Sequence, residues 1–379
     1  MATAAASHRW FRSGGEFFRE LLARLGAAQR SIRLEFYIFA PDAAGQSVRD
    51  ALVTAAQRGV NVRVLVDAFG SGSLPADFWK PLRAGGGEVK VFNPLKLFRL
   101  AIRNHRKLLV VDDEFAAVGG FNIADEYTGD GITTGWADCG FSLTGPAVPA
   151  LARNFDELFA QGGERQPQAI LARLRKGVRP PPEDIAPGVQ LLMSGPGRKP
   201  NAFQKLLRPD VEKSRHVQFV SAYFLPGYRM RRLLRRGAKS GSRIQIIVPG
   251  KSDVPLAQRA ARHLYAGLLR AGVEIWEYEP QVLHTKLFLA NEVAYVGSSN
   301  LDTRSLHLNY ELMLRLTDPA VVAGARDIFA GLLTHSRRVD PTSWHRSRSW
   351  WEKLREQWAY WLLSRVDPYV TRWLGSSPR

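Results

Sequence analysis

Two histidines, His105 and His284, each stand two residues before a lysine, Lys107 and Lys286. From His105 the chain reads HRKLLVVDDEFAAVGGFN to Asn122, and from His284 it reads HTKLFLANEVAYVGSSN to Asn300. A lone His-x-Lys carries almost no information. Two copies with the same sequel do: an apolar run, a short polar turn, a second run, then Gly, a small residue, a spacer and Asn. In a strand, residues i and i+2 share a face, so each histidine is expected beside its lysine. The small residues (Gly119 and Gly120 in one copy, Gly297, Ser298 and Ser299 in the other) allow close backbone approach. Asn122 and Asn300 can then aim amide hydrogens at the same spot. Two ammonium groups and two amides converging on a point suit a phosphodiester. Two histidines supply a nucleophile and a general acid–base. One copy provides half of this set, so the pocket is expected where two halves meet.

The elements around the motifs repeat as well. SIRLEFYIF (31–39) matches VQFVSAYFL (217–225), VRVLVD (62–67) matches IQIIVPG (244–250), and GGEVKVFNP (86–94) matches AGVEIWEYEP (271–280). Tyr37 and Tyr223 are 186 residues apart, as are Pro94 and Pro280, whereas the histidines are 179 apart. The first copy therefore carries an extra basic-apolar loop, LKLFRLAIRN (95–104), ahead of His105. Strand, helix, strand, helix, strand within each half reads as α/β with mainly parallel β-sheets. The expected organisation is a first half over 1–165, a Pro/Gly-rich linker over 166–188, a second half over 189–338 and a tail over 339–379.

The 379 residues suffice for about two domains. The net charge of +18 favours anionic partners, nucleic acid or an acidic membrane surface. A single cysteine, Cys139, excludes an intramolecular disulfide and a thiolate metal cluster. The N-terminus has no secretory h-region, and no stretch is long and apolar enough to span a bilayer, so a soluble or peripheral protein is expected. The tail holds six of the ten tryptophans, mixed with Arg and Leu. That composition fits a helix lying on a membrane and equally a helix packed on the protein's own core.

The paired motifs resemble those of the phospholipase D superfamily: His-x-Lys, four residues, Asp, six residues, then Gly-Gly or Gly-Ser. The first copy fits at His105, Lys107, Asp112, Gly119, Gly120 and Asn122; the second at His284, Lys286, Gly297, Ser298 and Asn300. SAYFLPGYRM, VGSSNLDTRSLHLNYEL and WADCGFSLTGPAV, within about residues 11–333, resemble bacterial cardiolipin synthases, most closely the B-type branch without N-terminal transmembrane helices. The resemblance implies two phospholipase D-type halves about a pseudo-two-fold with one active site at their interface. It counts His105, Lys107, Asp112, His284 and Lys286 as catalytic and implies a phosphohistidine intermediate without metal or cofactor. For such a synthase a phosphatidyl group passes from one phosphatidylglycerol to another and glycerol leaves. Anionic phospholipid and a membrane surface are then the expected partners, at the cytoplasmic side of a bacterial inner membrane. No nucleic acid is expected and no oligomer is required.

Asn291 stands where the first copy has Asp112, and the second motif is one residue shorter. Position +7 is odd when His and Lys sit at 0 and +2. Parity turns this position away from the phosphate or into the turn, so Asp112 is expected as a structural anion holding the turn or a neighbouring cation, and Asn291 as a rebuilt turn with Glu292 taking over the charge. A carboxylate on the far ring nitrogen would fix each histidine's tautomer. Asp138 and Glu311 are the candidates, 33 and 27 residues past their histidines. Two rivals stand beside this reading: a hydrolase or nuclease using water at the same site, and a binding protein whose second half has decayed.

Overall fold

A computed structural model of the chain describes residues 7–93, 102–162, 179–197, 199–344, 346 and 348–366. Most of the loop at 95–104 and most of the expected linker lie outside the described residues. The first half builds one sheet from β1 (His8–Phe11), β2 (Ser31–Phe36), β3 (Asn61–Asp67), β4 (Glu88–Phe92), β5 (Leu108–Val111), β6 (Phe115–Gly119) and β7 (Gly140–Thr144). Their order is β1-β7-β6-β5-β2-β3-β4. The second half uses β8 (Glu183–Ala186), β9 (Val189–Ser194), β10 (His216–Ser221), β11 (Arg243–Pro249), β12 (Glu274–Tyr278), β13 (Lys286–Ala290), β14 (Val293–Gly297), β15 (Glu311–Leu316) and β16 (Ser336–Arg338). Here the order is β16-β12-β11-β10-β13-β14-β15-β9-β8. β8 pairs with β9, which takes residues 183–186 out of the linker and into the second half.

The two halves are α/β and alike, but their sheets are mixed rather than mainly parallel. Among the described strands, parallel pairing is confined to β2-β3-β4 and β10-β11-β12, where helices supply the crossovers. The motif strands are antiparallel, because a turn of two or three residues can join strands only as a hairpin. Side chains of β5 alternate between two cores. Leu108 and Val110 enter a central core that also takes Leu287, Leu289 and Val296 from the second half. Leu109 and Val111 face an outer core of the first half. β13 behaves the same way, with Phe288 and Ala290 in the outer core of the second half. The central core therefore joins the halves.

The two hairpin turns explain the missing residue. β5 and β6 pair Val111 with Phe115 across a three-residue loop, Asp112 to Glu114. β13 and β14 pair Ala290 with Val293 across two residues, Asn291 and Glu292. Asp112 (φ 57°), Asp113 (φ 57°) and Asn291 (φ 46°) adopt the left-handed region that Asp and Asn tolerate better than other side chains. The Asp112 carboxylate accepts hydrogen bonds from the backbone N–H of Gln29 (2.9 Å), Arg30 (2.7 Å) and Ser31 (2.8 Å), the entry to β2. Asn291 Oδ1 accepts from Arg215 (3.0 Å) and His216 (3.1 Å), the entry to β10. Asp112 thus clamps a turn to the next strand, and its counting among the catalytic residues is corrected: it lies outside the pocket. Glu292 does not replace its charge. It pairs with Arg326 at 2.7 Å, as Glu114 pairs with Arg30 at 2.8 Å.

The tail packs in part on the protein's own core and leaves an apolar face exposed. Trp344 joins the outer core of the second half. The helix Trp350–Trp361, capped by Ser349 with Glu352 reaching back, buries Ala359 and Glu356 against helix Pro255–Leu269. Its other side leaves Trp350, Trp351, Leu354, Trp358 and Trp361 exposed.

Because Asn keeps the left-handed backbone and one acceptor oxygen, Asp112→Asn is expected to cost under about 1 kcal/mol and to retain activity. Asp112→Ala loses all the acceptors and the backbone preference, and should cost about 2 kcal/mol. Urea unfolding of the three proteins measures the difference.

Candidate active site

The residue before each expected carboxylate holds the backbone of a histidine from the opposite half. His105 N–H donates to the Tyr310 carbonyl at 2.9 Å, and His284 N–H donates to the Ala137 carbonyl at 2.8 Å. The next residue then meets the ring. His105 Nδ1 lies 3.0 Å from Glu311 Oε2, and His284 Nδ1 lies 2.6 Å from Asp138 Oδ2. The pairing is crossed: each carboxylate serves the other half's histidine rather than the one preceding it in its own repeat. Both imidazoles line one cavity of about 720 Å³ together with Asn122 and Asn300.

The lysines are buried behind the imidazoles rather than lining that cavity. Lys107 Nζ donates to the His105 carbonyl at 2.7 Å, and Lys286 Nζ to the His284 carbonyl. Lys286 Nζ also lies 2.9 Å from His284 Nδ1. Asn122 donates to the Tyr127 hydroxyl at 2.8 Å and accepts from the Ile38 N–H at 3.2 Å, while Asn300 accepts from the Tyr223 N–H at 3.3 Å. Ser299 is turned away, its hydroxyl on the Asn300 carbonyl.

Gly120 and Ser298 occupy equivalent positions with different consequences. A methyl group at Gly120 would lie 2.2 Å from Asp138 Oδ1, so only glycine admits that carboxylate. At Gly119 it would lie 2.7 Å from the Cys139 carbonyl oxygen. Ser298 instead donates its hydroxyl to Glu311 Oε2 at 2.5 Å. The two acids differ accordingly. Burial alone would raise Glu311, but His105, Lys107 and Ser298 together hold it below its ordinary range. Burial pushes Asp138 up to about 7 against the pull of Lys286 and the Cys139 N–H. Both imidazoles lie below their usual value, chiefly through burial; the lysines add to this, whereas Glu311 opposes it at His105. Burial likewise lowers Lys107 to about 7, with Glu311 opposing and Lys286 adding to the shift.

Sequence reasoning missed the aromatic wall. Tyr37 stands edge-on to His105 (4.9 Å between ring centroids), and Tyr127 edge-on to His284 (5.2 Å), with Trp136 at 5.7 Å. Tyr37 and Tyr223 both line the cavity. Their 186-residue offset marked the repeat, and that same signal could have marked them as site residues. A buried network also went unread. Asn104 is held through its N–H by Asp67 (2.8 Å) and through its amide by Glu35 (2.7 Å), and Glu35 pairs with Arg106 at 3.0 Å. This fixes the residues on either side of His105.

Two like halves that exchange carboxylates over paired His-x-Lys motifs define a phospholipase D-type protein. The chain belongs to the family described as "Cardiolipin synthase, PLD-like domain", matched over residues 21–134 and 211–333. It is 35% identical over 311 residues to the cardiolipin synthase of Geobacillus kaustophilus, covering 79% of this chain and 61% of that protein. It is 32% identical over 353 residues to the major cardiolipin synthase ClsA of Bacillus subtilis, covering 90% and 72%. The chain thus spans under two thirds of the length of the first of these relatives. The solved phosphatidylserine synthase of Haemophilus influenzae shares the fold, with a TM-score of 0.79 at 15% identity over 96% of this chain and 94% of that one.

A bound phosphodiester favours the ammonium form of Lys107, so above pH 7 binding must take up a proton at that site. Affinity for glycerophosphoglycerol, whose charge is constant in this range, should be flat below pH 7. Above it, affinity should weaken by up to about tenfold per pH unit from this group. Deprotonation of Asp138 acts in the same direction. Lys107→Arg, permanently charged, should flatten the profile measured by titration calorimetry.

Proposed function

We propose that the chain is a cardiolipin synthase, transferring a phosphatidyl group from one phosphatidylglycerol to another through a phosphohistidine and releasing glycerol. The observation that carries the reading is the pair of crossed histidine–carboxylate contacts opening on a single cavity. The named relatives are cardiolipin synthases, and the charge of +18 suits an anionic lipid surface. Among the described residues no helix is long and apolar enough to cross a membrane, in keeping with work at a surface.

The asymmetry of the two pairs supports one division of roles. Glu311, kept ionised by Ser298 and its cations, accepts Nδ1–H of His105 and leaves the Nε2 lone pair free for attack on phosphorus. Asp138, raised to about 7 by burial, holds its proton below that pH, and Lys286 is placed to donate to the same Nδ1. Nδ1 of His284 is then an acceptor, and the imidazole carries its proton on Nε2. In the first step His105 Nε2 bonds to phosphorus and the P–O bond to glycerol breaks. His284 Nε2–H protonates the leaving oxygen as the Asp138 proton crosses the 2.6 Å contact to Nδ1. In the second step the incoming hydroxyl gives its proton to His284 Nε2 as the Nδ1 proton returns to Asp138, its oxygen attacks phosphorus, and the P–N bond to His105 breaks. The lysines and the amides of Asn122 and Asn300 offset the charge on the phosphoryl oxygens. General acid–base help of this kind contributes about 10²- to 10⁴-fold.

Purified protein incubated with phosphatidylglycerol vesicles and chelator should yield cardiolipin and glycerol, followed by mass spectrometry. His105→Ala and His284→Ala should each abolish both products. Phosphatidic acid as the product would assign the site to hydrolysis, and activity surviving both substitutions would remove the histidines from the chemistry. The rate should fall as pH rises through about 7, where the proton shared by Asp138 and His284 is lost.

A further inference from the structure

A second cavity, of about 350 Å³, lies between helix Tyr228–Lys239, helix Pro255–Leu269 and the tail helix Trp350–Trp361. Arg231, Arg235, Arg270, Arg348 and Lys353 line it against one carboxylate, Glu356. That carboxylate is engaged by Arg348, which also stacks on Trp344 at 4.1 Å. Arg231 buries its Nε without a hydrogen-bond partner, an uncommon state for a cationic donor. His263, on the same wall, lies below its ordinary pKa through burial and the nearby Arg231 and Arg348, as expected in a positive field. The transfer chemistry uses none of these groups.

The outer face of the tail helix is the second observation. Trp350, Trp351, Leu354, Trp358 and Trp361 fall within about 100° of helical arc, and each is roughly half exposed or more. Lys353 and Gln357 stand at the edge of this stripe, facing the cavity. The next residues, Tyr360, Leu363 and Ser364, reach the wall of the catalytic cavity, and Arg231 borders both cavities. An apolar tryptophan stripe beside a cationic hollow matches a bilayer with acidic headgroups: rings enter the interfacial layer while a phosphate meets the cations.

We infer that this cavity is a second, non-catalytic phosphate site, which takes a headgroup of an anionic bilayer and seats the tail helix on it. The inference goes beyond the transfer reading, since it concerns lipid that is bound and not converted. It also ties the catalytic cavity to the membrane, because one continuous segment forms the stripe and part of the cavity wall.

The test is sedimentation of the full chain with phosphatidylcholine vesicles, with and without phosphatidylserine, an acidic lipid outside the proposed reaction. The wild type should pellet with the acidic vesicles and far less with the neutral ones. Arg235→Glu with Arg270→Glu should weaken that partitioning at least about tenfold, and Arg235→Gln with Arg270→Gln by less. Trp350→Ser with Trp351→Ser should weaken it too. Turnover of a monomeric short-chain phosphatidylglycerol should be unchanged in the Arg235/Arg270 variants, which keeps failure here distinct from failure of the transfer reading. The control is Arg236→Glu with Lys239→Glu, an equal charge change on the same basic helix away from the cavity. Equal loss in control and cavity variants would reduce the effect to general surface charge and overturn the site. Unaltered sedimentation of the cavity variants would overturn it as well. Inorganic phosphate that binds the wild type more strongly than the Arg235/Arg270 variants, without recruitment to acidic vesicles, would leave a free-phosphate site and remove the bilayer as its occupant.

Discussion

Each half of this molecule is incomplete because its histidine is held by the other half's carboxylate. The contacts join residues 206 and 146 positions apart, and all four side chains are buried. Two lysines lie buried beside them. Removing such charges from water costs several kcal/mol per ion, and only mutual pairing offsets it. The site can therefore exist only while the halves are closed on each other. The central core, shared by β5 and β6 with β13 to β15, supplies the apolar burial that holds them closed. Backbone hydrogen bonds at Tyr310 and Ala137 then bring each ring into register with its acid. Loss of one carboxylate would leave a buried lysine uncompensated as well as a histidine unoriented.

Under the proposed reaction, near-symmetry with a few departures would let two equal motifs do unequal work. A phosphoryl transfer needs one imidazole with a free lone pair and another with a proton to give, at the same pH. Here the difference arises one shell away from the rings. A hydroxyl at Ser298 stabilises the anion of Glu311; glycine at 120 leaves Asp138 without one, because the carboxylate occupies the space that a side chain would need. Lys286 reaches Nδ1 of its histidine, whereas Lys107 is engaged by a carbonyl. The exchange of Asp112 for Asn291, the most visible departure in the sequence, is by contrast remote from the chemistry. Both residues accept backbone N–H groups at a hairpin, and either amide or carboxylate oxygen can do so.

Much of this was legible because it is periodic or repeated. The apolar runs located the strands, the matched offsets located two halves, and parity turned position 112 away from the phosphate or into a turn. The direction of the sheets was less accessible: the helices between β2, β3 and β4 read as parallel crossovers, but the hairpins that carry the motifs reverse the rest. Asp138 and Glu311 stood out as candidates, yet their crossed partnership depends on how the halves pack, which no local pattern encodes. The tail admitted two readings because its composition serves both. In the structure one face of the helix is buried by Ala359 and Glu356, and the opposite face carries the tryptophans to the surface. Tyr127, edge-on to His284, had no signature of its own, since aromatic residues fill cores as readily as pockets.

The aromatic wall and the tail bear on the same chemical problem. Under the proposed reaction a phosphohistidine must persist until a lipid hydroxyl arrives, although water is smaller and far more concentrated. Tyr37, Tyr127 and Trp136 cover the flanks of the two imidazoles, so access to phosphorus is through the cavity mouth. The cavity wall includes Tyr360 and Leu363 of the tail. A wall made in part from a segment whose outer face suits a bilayer would replace bulk water at the opening with lipid. The choice between transfer and hydrolysis would then rest less on the catalytic groups, which serve either acceptor equally, than on what stands at the entrance.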